Sequence, residues 1–259
     1  MKAADFFYEH PIFRQDEFLE EVGARVLPYY LKTGRLLSIR RGLYAVIPPN
    51  QTSETLILDS YLVAGNAAPD AVLAYHSALE LHGVAYSVFG QLTYLTAQKN
   101  KPFEFQGSWF QAVCFPHTLK AHPDFCIETI DRQGVKIKMT NLSRTFVDVL
   151  DRVELSGGWE EVCRSIRKMV VLNIEEVIQY CLQLDNASLA AKVGYFLEQR
   201  EGAFAVSPEQ LNPLLAAKPK VPQYLSRSSH EKHQLIKKWN LLMPISVINQ
   251  SWEEPHVQI

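Results

Sequence analysis

Five basic side chains without acidic neighbours form the clearest candidate binding site in this chain. The sequence holds no Asp or Glu between Val22 and Ser53, although the whole chain carries 26 basic and 28 acidic residues. A basic cluster in a protein of slightly negative net charge attracts polyanions, above all the phosphates of nucleic acids. The window therefore predicts DNA contacts by Arg25, Lys32, Arg35, Arg40 and Arg41, with Tyr29 and Tyr30 beside them as further contacts.

The residues around this cluster predict two short helices followed by a β-hairpin. Apolar residues recur at helical spacing between residues 13 and 21, and a second helix is predicted from residue 24 or 28 to residue 33. The β-favouring run Leu36–Val46 is interrupted by Arg40, Arg41 and Gly42, where glycine supplies the positive φ of a tight turn. This arrangement is typical of a winged helix-turn-helix over residues 1–50, whose second helix enters the major groove and whose wing contacts phosphate or the minor groove. The alternative is a solvated hairpin whose arginines pair with acids elsewhere.

A second region, residues 54–140, is predicted to have an α+β structure. It follows the polar linker Asn50–Ser53. Helices are predicted over residues 54–68 and 74–82, and four β-rich runs lie between Gln91 and Met139. We expect these strands to form a sheet that packs on the preceding helices.

The third region, residues 141–259, is predicted to be mainly helical. Asn173 and Glu176 have the three-residue spacing by which a cap side chain and the third helical residue satisfy backbone amides. Arg144, Asp148 and Asp151 have helical spacings that favour a ladder of ion pairs. The expected fold class is therefore α+β, with an N-terminal winged helix and a C-terminal part that includes helices over 159–169, 175–184 and 188–199.

The spacing of His, Cys and acidic residues predicts neither catalysis nor metal binding. His76 and Glu80 are four residues apart, but His82 is six residues from His76, which does not suit a two-histidine metal site. We therefore predict His76 as a helix-start or packing residue, and no enzyme activity, cofactor or metal site. The enzymatic alternative is a nuclease-like site in the α+β region, with Asp124, Glu128 and either Lys136 or Lys138.

The distribution of apolar residues indicates where in the cell to expect the protein. No stretch approaches the roughly 20 apolar residues that span a bilayer, and the N-terminus has no apolar secretory segment. We expect a cytoplasmic protein without a membrane partner.

Several segments, taken in order, resemble one known family. The segment Thr33–Pro49 resembles the winged-helix segment of the AbiEi family, the antitoxin and transcriptional-regulator half of type IV toxin-antitoxin systems. Further segments resemble the family in the same order, so that the resemblance covers nearly the whole chain; they are Asp59–Ala64, Ala74–Gly83, Arg144–Asp148, Gly157–Glu161, Ser188–Gly194 and Trp239–Pro244.

The resemblance implies a function in two parts. The winged helix would bind operator DNA and repress the chain's own operon, and the remainder would counteract a nucleotidyltransferase-like toxin, without a need for a stable complex. The chain has no Asp-x-Asp pair of the kind that marks the toxin. It departs from the family in one respect, because only Val22–Leu27 separates the two predicted reader helices, which shortens the turn. A protein-interaction adaptor that uses the winged helix for dimerisation is a third alternative.

Overall fold

The N-terminal elements are three helices and three strands around an aromatic core. The computed structural model describes residues 2–23, 26–119, 124–226 and 232–252. Its first three strands form an antiparallel sheet in the order β1-β3-β2. We call residues 2–47 the N-terminal module; its elements are α1 (Ala3–Glu9), β1 (Ile12–Arg14), α2 (Gln15–Glu21), α3 (Leu27–Lys32), β2 (Leu36–Arg40) and β3 (Leu43–Val46).

Three fully buried phenylalanines hold the module together. Phe6 of α1 lies 5.2 Å from both Phe13 of β1 and Phe18 of α2, with near-perpendicular rings. Edge-to-face pairs add to the roughly 1.5–3 kcal/mol that burial of each large apolar side chain contributes. Leu27 and Leu36 join the same cluster, and thereby attach α3 and β2 to it. The sequence patterns predict α2 and α3 but neither α1 nor β1.

A six-stranded mixed sheet follows, in the order β6-β7-β5-β4-β9-β8. Its central strand β4 has only two residues, which pair antiparallel with β5 and parallel with β9. Three of the four predicted β-rich runs correspond closely to β5, β7 and β9. The strands are β4 (Val72–Leu73), β5 (Gln91–Thr96), β6 (Phe103–Phe105), β7 (Ser108–Cys114), β8 (Ile127–Arg132) and β9 (Val135–Thr140).

The helix predicted over residues 54–68 is much shorter in the structure. Helix α4 spans Ser60–Gly65, because the side chain of Asp59 accepts a hydrogen bond from the Tyr61 N–H at 2.9 Å and caps the helix there. At the other end, a Cβ on Gly65 would lie 2.6 Å from Cγ2 of Ile137 in β9. A residue without a side chain is therefore required where α4 meets the sheet. The next predicted helix is present as α5 (His76–Leu81).

Two compact units divide the chain. The first comprises Met1–Ser77, Phe89–Phe115 and Glu128–Met139, and so includes the N-terminal module and most of the six-stranded sheet. The second comprises Ala78–Val88, Pro116–Ile127 and Thr140–Ile259. The division into domains over residues 1–50, 54–140 and 141–259 stays a prediction.

Helices dominate the second unit, as predicted, and asparagines begin three of them. The side chains of Asn141, Asn173 and Asn186 accept hydrogen bonds from backbone N–H groups three residues later, at 2.9–3.2 Å. A small sheet, β10-β12-β11, is not predicted by the sequence pattern. The elements are α6 (Leu142–Asp151), α7 (Trp159–Lys168), α8 (Ile174–Gln183), α9 (Ala187–Gln199), α10 (Glu201–Phe204), α11 (Asn212–Ala217), β10 (Gln223–Tyr224), β11 (His233–Ile236), β12 (Leu241–Pro244) and α12 (Ile245–Asn249).

These elements give the chain an α+β fold, as the sequence predicts. Among the described residues, no helix is both long enough and apolar enough to cross a membrane.

Candidate nucleic-acid interface

Four of the predicted DNA-contacting residues are exposed on α3 and the β2–β3 hairpin. Tyr29 and Lys32 lie one turn apart on α3, and the Tyr29 side chain is 62% exposed. Arg35 precedes β2, and Arg41 lies in the turn between β2 and β3. All four residues are exposed, and we call them the basic face. Of the other three predicted contacts, Arg25 lies outside the described residues.

Tyr30 packs inward from α3, although its ring also contacts that of Tyr29 edge to face at 5.4 Å. Its ring packs at 4.8 Å on the edge of Phe7 in α1, and the residue is half-buried. It therefore supports the aromatic core of the module, and only Tyr29 offers its ring to a ligand. Consecutive positions on a helix lie about 100° apart, so that two adjacent tyrosines do not share one face.

Arg40 already contacts other residues of the first unit. Its Nη2 donates a hydrogen bond to the carbonyl oxygen of Ala67, and its guanidinium lies 4.7 Å from the centre of the Phe103 ring. Arg40 is the last residue of β2 and is half-buried, whereas Arg41 lies in the turn and is exposed. The β2–β3 register also shifts between Ser38 and Arg40. We therefore leave Arg40 out of the proposed DNA-contacting set.

The turn itself depends on Gly42. This residue has a φ of +81°, a conformation that favours glycine over residues with a Cβ. Its carbonyl oxygen accepts a hydrogen bond from the Gln15 N–H at 2.8 Å, which attaches the turn to the start of α2. The position of Arg41 is thus fixed by backbone contacts on both sides of the hairpin.

Acidic side chains of the module lie on other elements. Helix α2 exposes Asp16, Glu20 and Glu21, whereas α3 and the hairpin contain no acid. Arg14, the last residue of β1, is already paired with α2, because its Nη2 lies 2.5 Å from Oε1 of Glu17. The module therefore has separate negative and positive elements, and this charge separation would orient a polyanion toward α3 and the hairpin.

The residues of the nuclease-like alternative are all exposed. Glu128 lies on β8, Lys136 and Lys138 lie on β9, and Asp124 precedes β8. His76 is buried at the start of α5 and stacks on Phe89 at 3.8 Å between ring centres, which confirms the predicted packing role. Within the described ranges, no three His, Cys, Asp or Glu side chains are grouped so as to hold a metal ion.

A buried charged pair in the second unit confirms one predicted ion pair. The Arg144 Nε atom lies 3.6 Å from Oδ2 of Asp148, and both side chains are almost completely buried. Arg144 also donates to the carbonyl oxygen of Phe125 at 2.9 Å, and the Tyr180 hydroxyl donates to Oδ1 of Asp148 at 2.6 Å. Burial raises the pKa of Asp148 to about 6, although Arg144 opposes this shift. The sequence predicts the pair from its i, i+4 spacing but does not predict its complete burial.

Comparisons with known proteins identify a shared fold and no family. The chain matches no protein-family model and no curated protein sequence. A solved structure that resembles it is the crystal structure of the Rv2827c protein from Mycobacterium tuberculosis, with a TM-score of 0.61 and 14% sequence identity. The match covers 97% of this chain and 93% of that chain. The two proteins therefore share a fold along nearly their whole lengths.

Proposed function

We propose that this protein is a DNA-binding transcriptional autoregulator and antitoxin of a type IV toxin-antitoxin system. Helices α2 and α3 then form a helix-turn-helix, and strands β2 and β3 form its wing. The basic face is the observation that carries the proposal, because Tyr29, Lys32, Arg35 and Arg41 are exposed on the two elements that such a domain uses to contact DNA. The antitoxin part rests on the resemblance to the AbiEi family and lies in the residues beyond the module.

The basic face supports phosphate contacts more strongly than base reading. Helix α3 has six residues, about 9 Å of helix, which presents few side chains to a groove. Tyr29 and Lys32 are the two exposed side chains there with polar ends. Arg35 and Arg41 extend the positive charge beyond the helix, where they would contact the backbone. Affinity should then depend steeply on salt concentration, because each neutralised phosphate releases counterions.

The double variant Arg35→Ala/Arg41→Ala tests the DNA-binding part. Loss of two phosphate contacts should weaken binding to every duplex and lower the slope of log affinity against log salt by about 1.8. Fluorescence anisotropy titrations of a labelled promoter duplex at several salt concentrations measure both quantities. The matched control is Lys136→Ala/Lys237→Ala, which removes the same charge from exposed positions outside the module. Equal slopes for the two variants and the wild type would exclude the basic face and favour an interaction adaptor.

The same double variant separates repression from antitoxicity in cells. A full-length variant is preferable to a truncation, because removal of the module would uncover the Ala67 and Phe103 surfaces that Arg40 contacts. With the protein and the co-encoded toxin expressed from unrelated promoters, Arg35→Ala/Arg41→Ala should still restore growth. A reporter driven by the native promoter should lose repression. Continued growth arrest by a folded variant would show that antitoxicity requires the basic face, and the proposed division of function would be wrong.

A further inference from the structure

A polar cavity of about 300 Å³ lies behind the hairpin turn, within the first unit. The module contributes Arg14, Asp16, Arg40 and Arg41 to its lining, and the segment after β5 contributes Gln98 and Asn100. Its volume is at the small end of the range for sites that bind small molecules. Three guanidinium groups in one small cavity indicate an anionic ligand.

The three arginines differ in how far their charge is already balanced. Arg14 is paired with Glu17 and lies 3.4 Å from the Asp16 carboxylate. Within the described part of the chain, neither Arg40 nor Arg41 forms an ion pair with a carboxylate. The hydrogen bond that Arg40 makes to Ala67 goes to a neutral carbonyl and leaves the guanidinium charge in place. The cavity therefore has a surplus of positive charge.

Three buried polar atoms beside the cavity form a small group that has no acceptor outside itself among the described residues. They are the Tyr94 hydroxyl, Nε of Arg40 and Nδ2 of Asn100. Tyr94 is completely buried, and burial raises the pKa of its hydroxyl, while the Arg40 charge and hydrogen bonds from the Asn100 and Arg40 side chains lower it. Because both neighbours donate to the Tyr94 oxygen, the Tyr94 hydroxyl proton still lacks an acceptor, and an unsatisfied buried donor costs about 1–3 kcal/mol. An oxyanion would supply that acceptor.

We propose that this cavity is an oxyanion site that binds a phosphoryl group. Arg40 and Arg41 supply the charge, and Asn100 and the Tyr94 hydroxyl behind it supply neutral donors. A phosphoryl group fits better than a carboxylate, because its three or four oxygens can occupy donors on several sides of the cavity at once. Because Arg41 belongs to the hairpin and Asn100 to the segment after β5, a bound phosphoryl group would link the hairpin to the sheet.

Two sources can supply this group, namely a free phosphorylated molecule and the backbone of bound DNA. A free phosphorylated molecule binds to the site whether or not a duplex is present. A backbone phosphate occupies the site only when the duplex is bound, and it then prevents free phosphate from binding there. The site itself does not depend on the proposed regulatory function, since binding of inorganic phosphate can be measured on the protein alone.

The test uses calorimetric titration of the full chain with inorganic phosphate at constant ionic strength, together with melting temperature. We expect saturable binding and a melting temperature that rises with phosphate. Arg41→Ala removes an exposed charge, Asn100→Asp places a negative charge in the cavity, and each should lower phosphate affinity at least about tenfold. The matched control is Lys136→Ala, which removes an exposed charge of the first unit outside both the cavity and the basic face and should bind phosphate as the wild type does.

Tyr94→Phe separates a ligand contact from a structural role. It keeps the ring and removes the hydroxyl that the Asn100 and Arg40 side chains contact, so the variant should gain less stabilisation than the wild type when phosphate is added. Phosphate also stabilises proteins generally by exclusion from their surfaces, and that effect would be equal in every variant. Equal shifts in the wild type, Arg41→Ala and Asn100→Asp, or the absence of saturable binding, would overturn the proposal.

A titration in the presence of saturating duplex identifies the source. If phosphate binds with unchanged affinity, the site takes a free phosphorylated ligand. If the duplex displaces phosphate and Asn100→Asp also weakens duplex binding, the site takes a backbone phosphate. Either result supports the oxyanion site, and each identifies a different physiological ligand.

Discussion

Replacement of Arg144 by Met is expected to lower the free energy of unfolding of the second unit by about 3–5 kcal/mol. Arg144 is completely buried, and its removal leaves both Asp148 and the Phe125 carbonyl without their cationic partner. An unpaired buried carboxylate is much more costly than an intact buried pair. Methionine has a similar length and adds no polar group. The decrease in the free energy of unfolding therefore reflects mainly the missing charge and hydrogen bonds.

The size of this effect should depend on pH. In the wild type the folded-state pKa of Asp148 is about 6, above its ordinary value of about 3.9. The folded protein therefore holds a proton that the unfolded chain has released, and this contribution to stability is lost as pH rises through about 6. Removal of Arg144 raises the pKa of Asp148 further, because the Arg144 charge is what lowers it. The penalty of Arg144→Met should consequently grow between about pH 5 and about pH 8.

Urea unfolding followed by tryptophan fluorescence at several pH values checks this prediction. The double variant Arg144→Met/Asp148→Asn removes the unpaired charge as well, so it should be more stable than Arg144→Met at about pH 8 and similar to it at about pH 5. A penalty for Arg144→Met that is independent of pH would contradict the assigned ionisation of Asp148. A loss of stability below about 1 kcal/mol for Arg144→Met would contradict the role of the Arg144–Asp148 pair in holding the fold.

The second large effect is expected from Gly194→Ala in α9. An alanine normally stabilises the interior of a helix by up to about 1 kcal/mol relative to glycine. Here its Cβ would lie 2.1–2.8 Å from three ring atoms of Trp239. Trp239 is completely buried, and its Nε1–H donates to Oε2 of Glu198 at 2.7 Å, so the ring has little freedom to move. We expect a net destabilisation of about 3 kcal/mol, at the upper end of the range for overpacked cores.

Gly202→Ala is the matched control. Gly202 lies in helix α10, and no atom lies within 4 Å of the position that its Cβ would take. This change should therefore be neutral or slightly stabilising. Combination of Gly194→Ala with Trp239→Phe provides a rescue, because the smaller ring makes room for the new methyl group. Thermal and urea unfolding measure the three variants and the wild type; equal stability of Gly194→Ala and Gly202→Ala would refute the close approach.

Gly194 and Trp239 show that two segments far apart in the sequence contact each other in the fold. In the sequence, Ser188–Gly194 and Trp239–Pro244 are two separate segments. Nothing in either segment indicates that they touch. In the structure the glycine of the first accommodates the tryptophan ring of the second. The need for glycine at position 194 is therefore a property of the tertiary structure.

The candidate site was likewise only partly predictable. The sequence identifies the basic cluster and the hairpin turn, since charge and turn chemistry are local properties. It does not distinguish Arg40 from Arg41, or Tyr30 from Tyr29, because each pair consists of like residues at adjacent positions. Those distinctions depend on the Phe7 ring in α1 and on Ala67 and Phe103, which lie far from the hairpin in sequence.

The sequence by itself determined the α+β class, helices α7, α8 and α9 to within one or two residues, and the Asn173 cap, because helical periodicity and capping act over a few neighbouring residues. Only the tertiary structure decided which residues form the first unit, which combines three separate segments of the chain. It also decided that two-residue β4 occupies the middle of a six-stranded sheet. A strand so short has no periodicity of its own, and its hydrogen bonds to β5 and β9 define it.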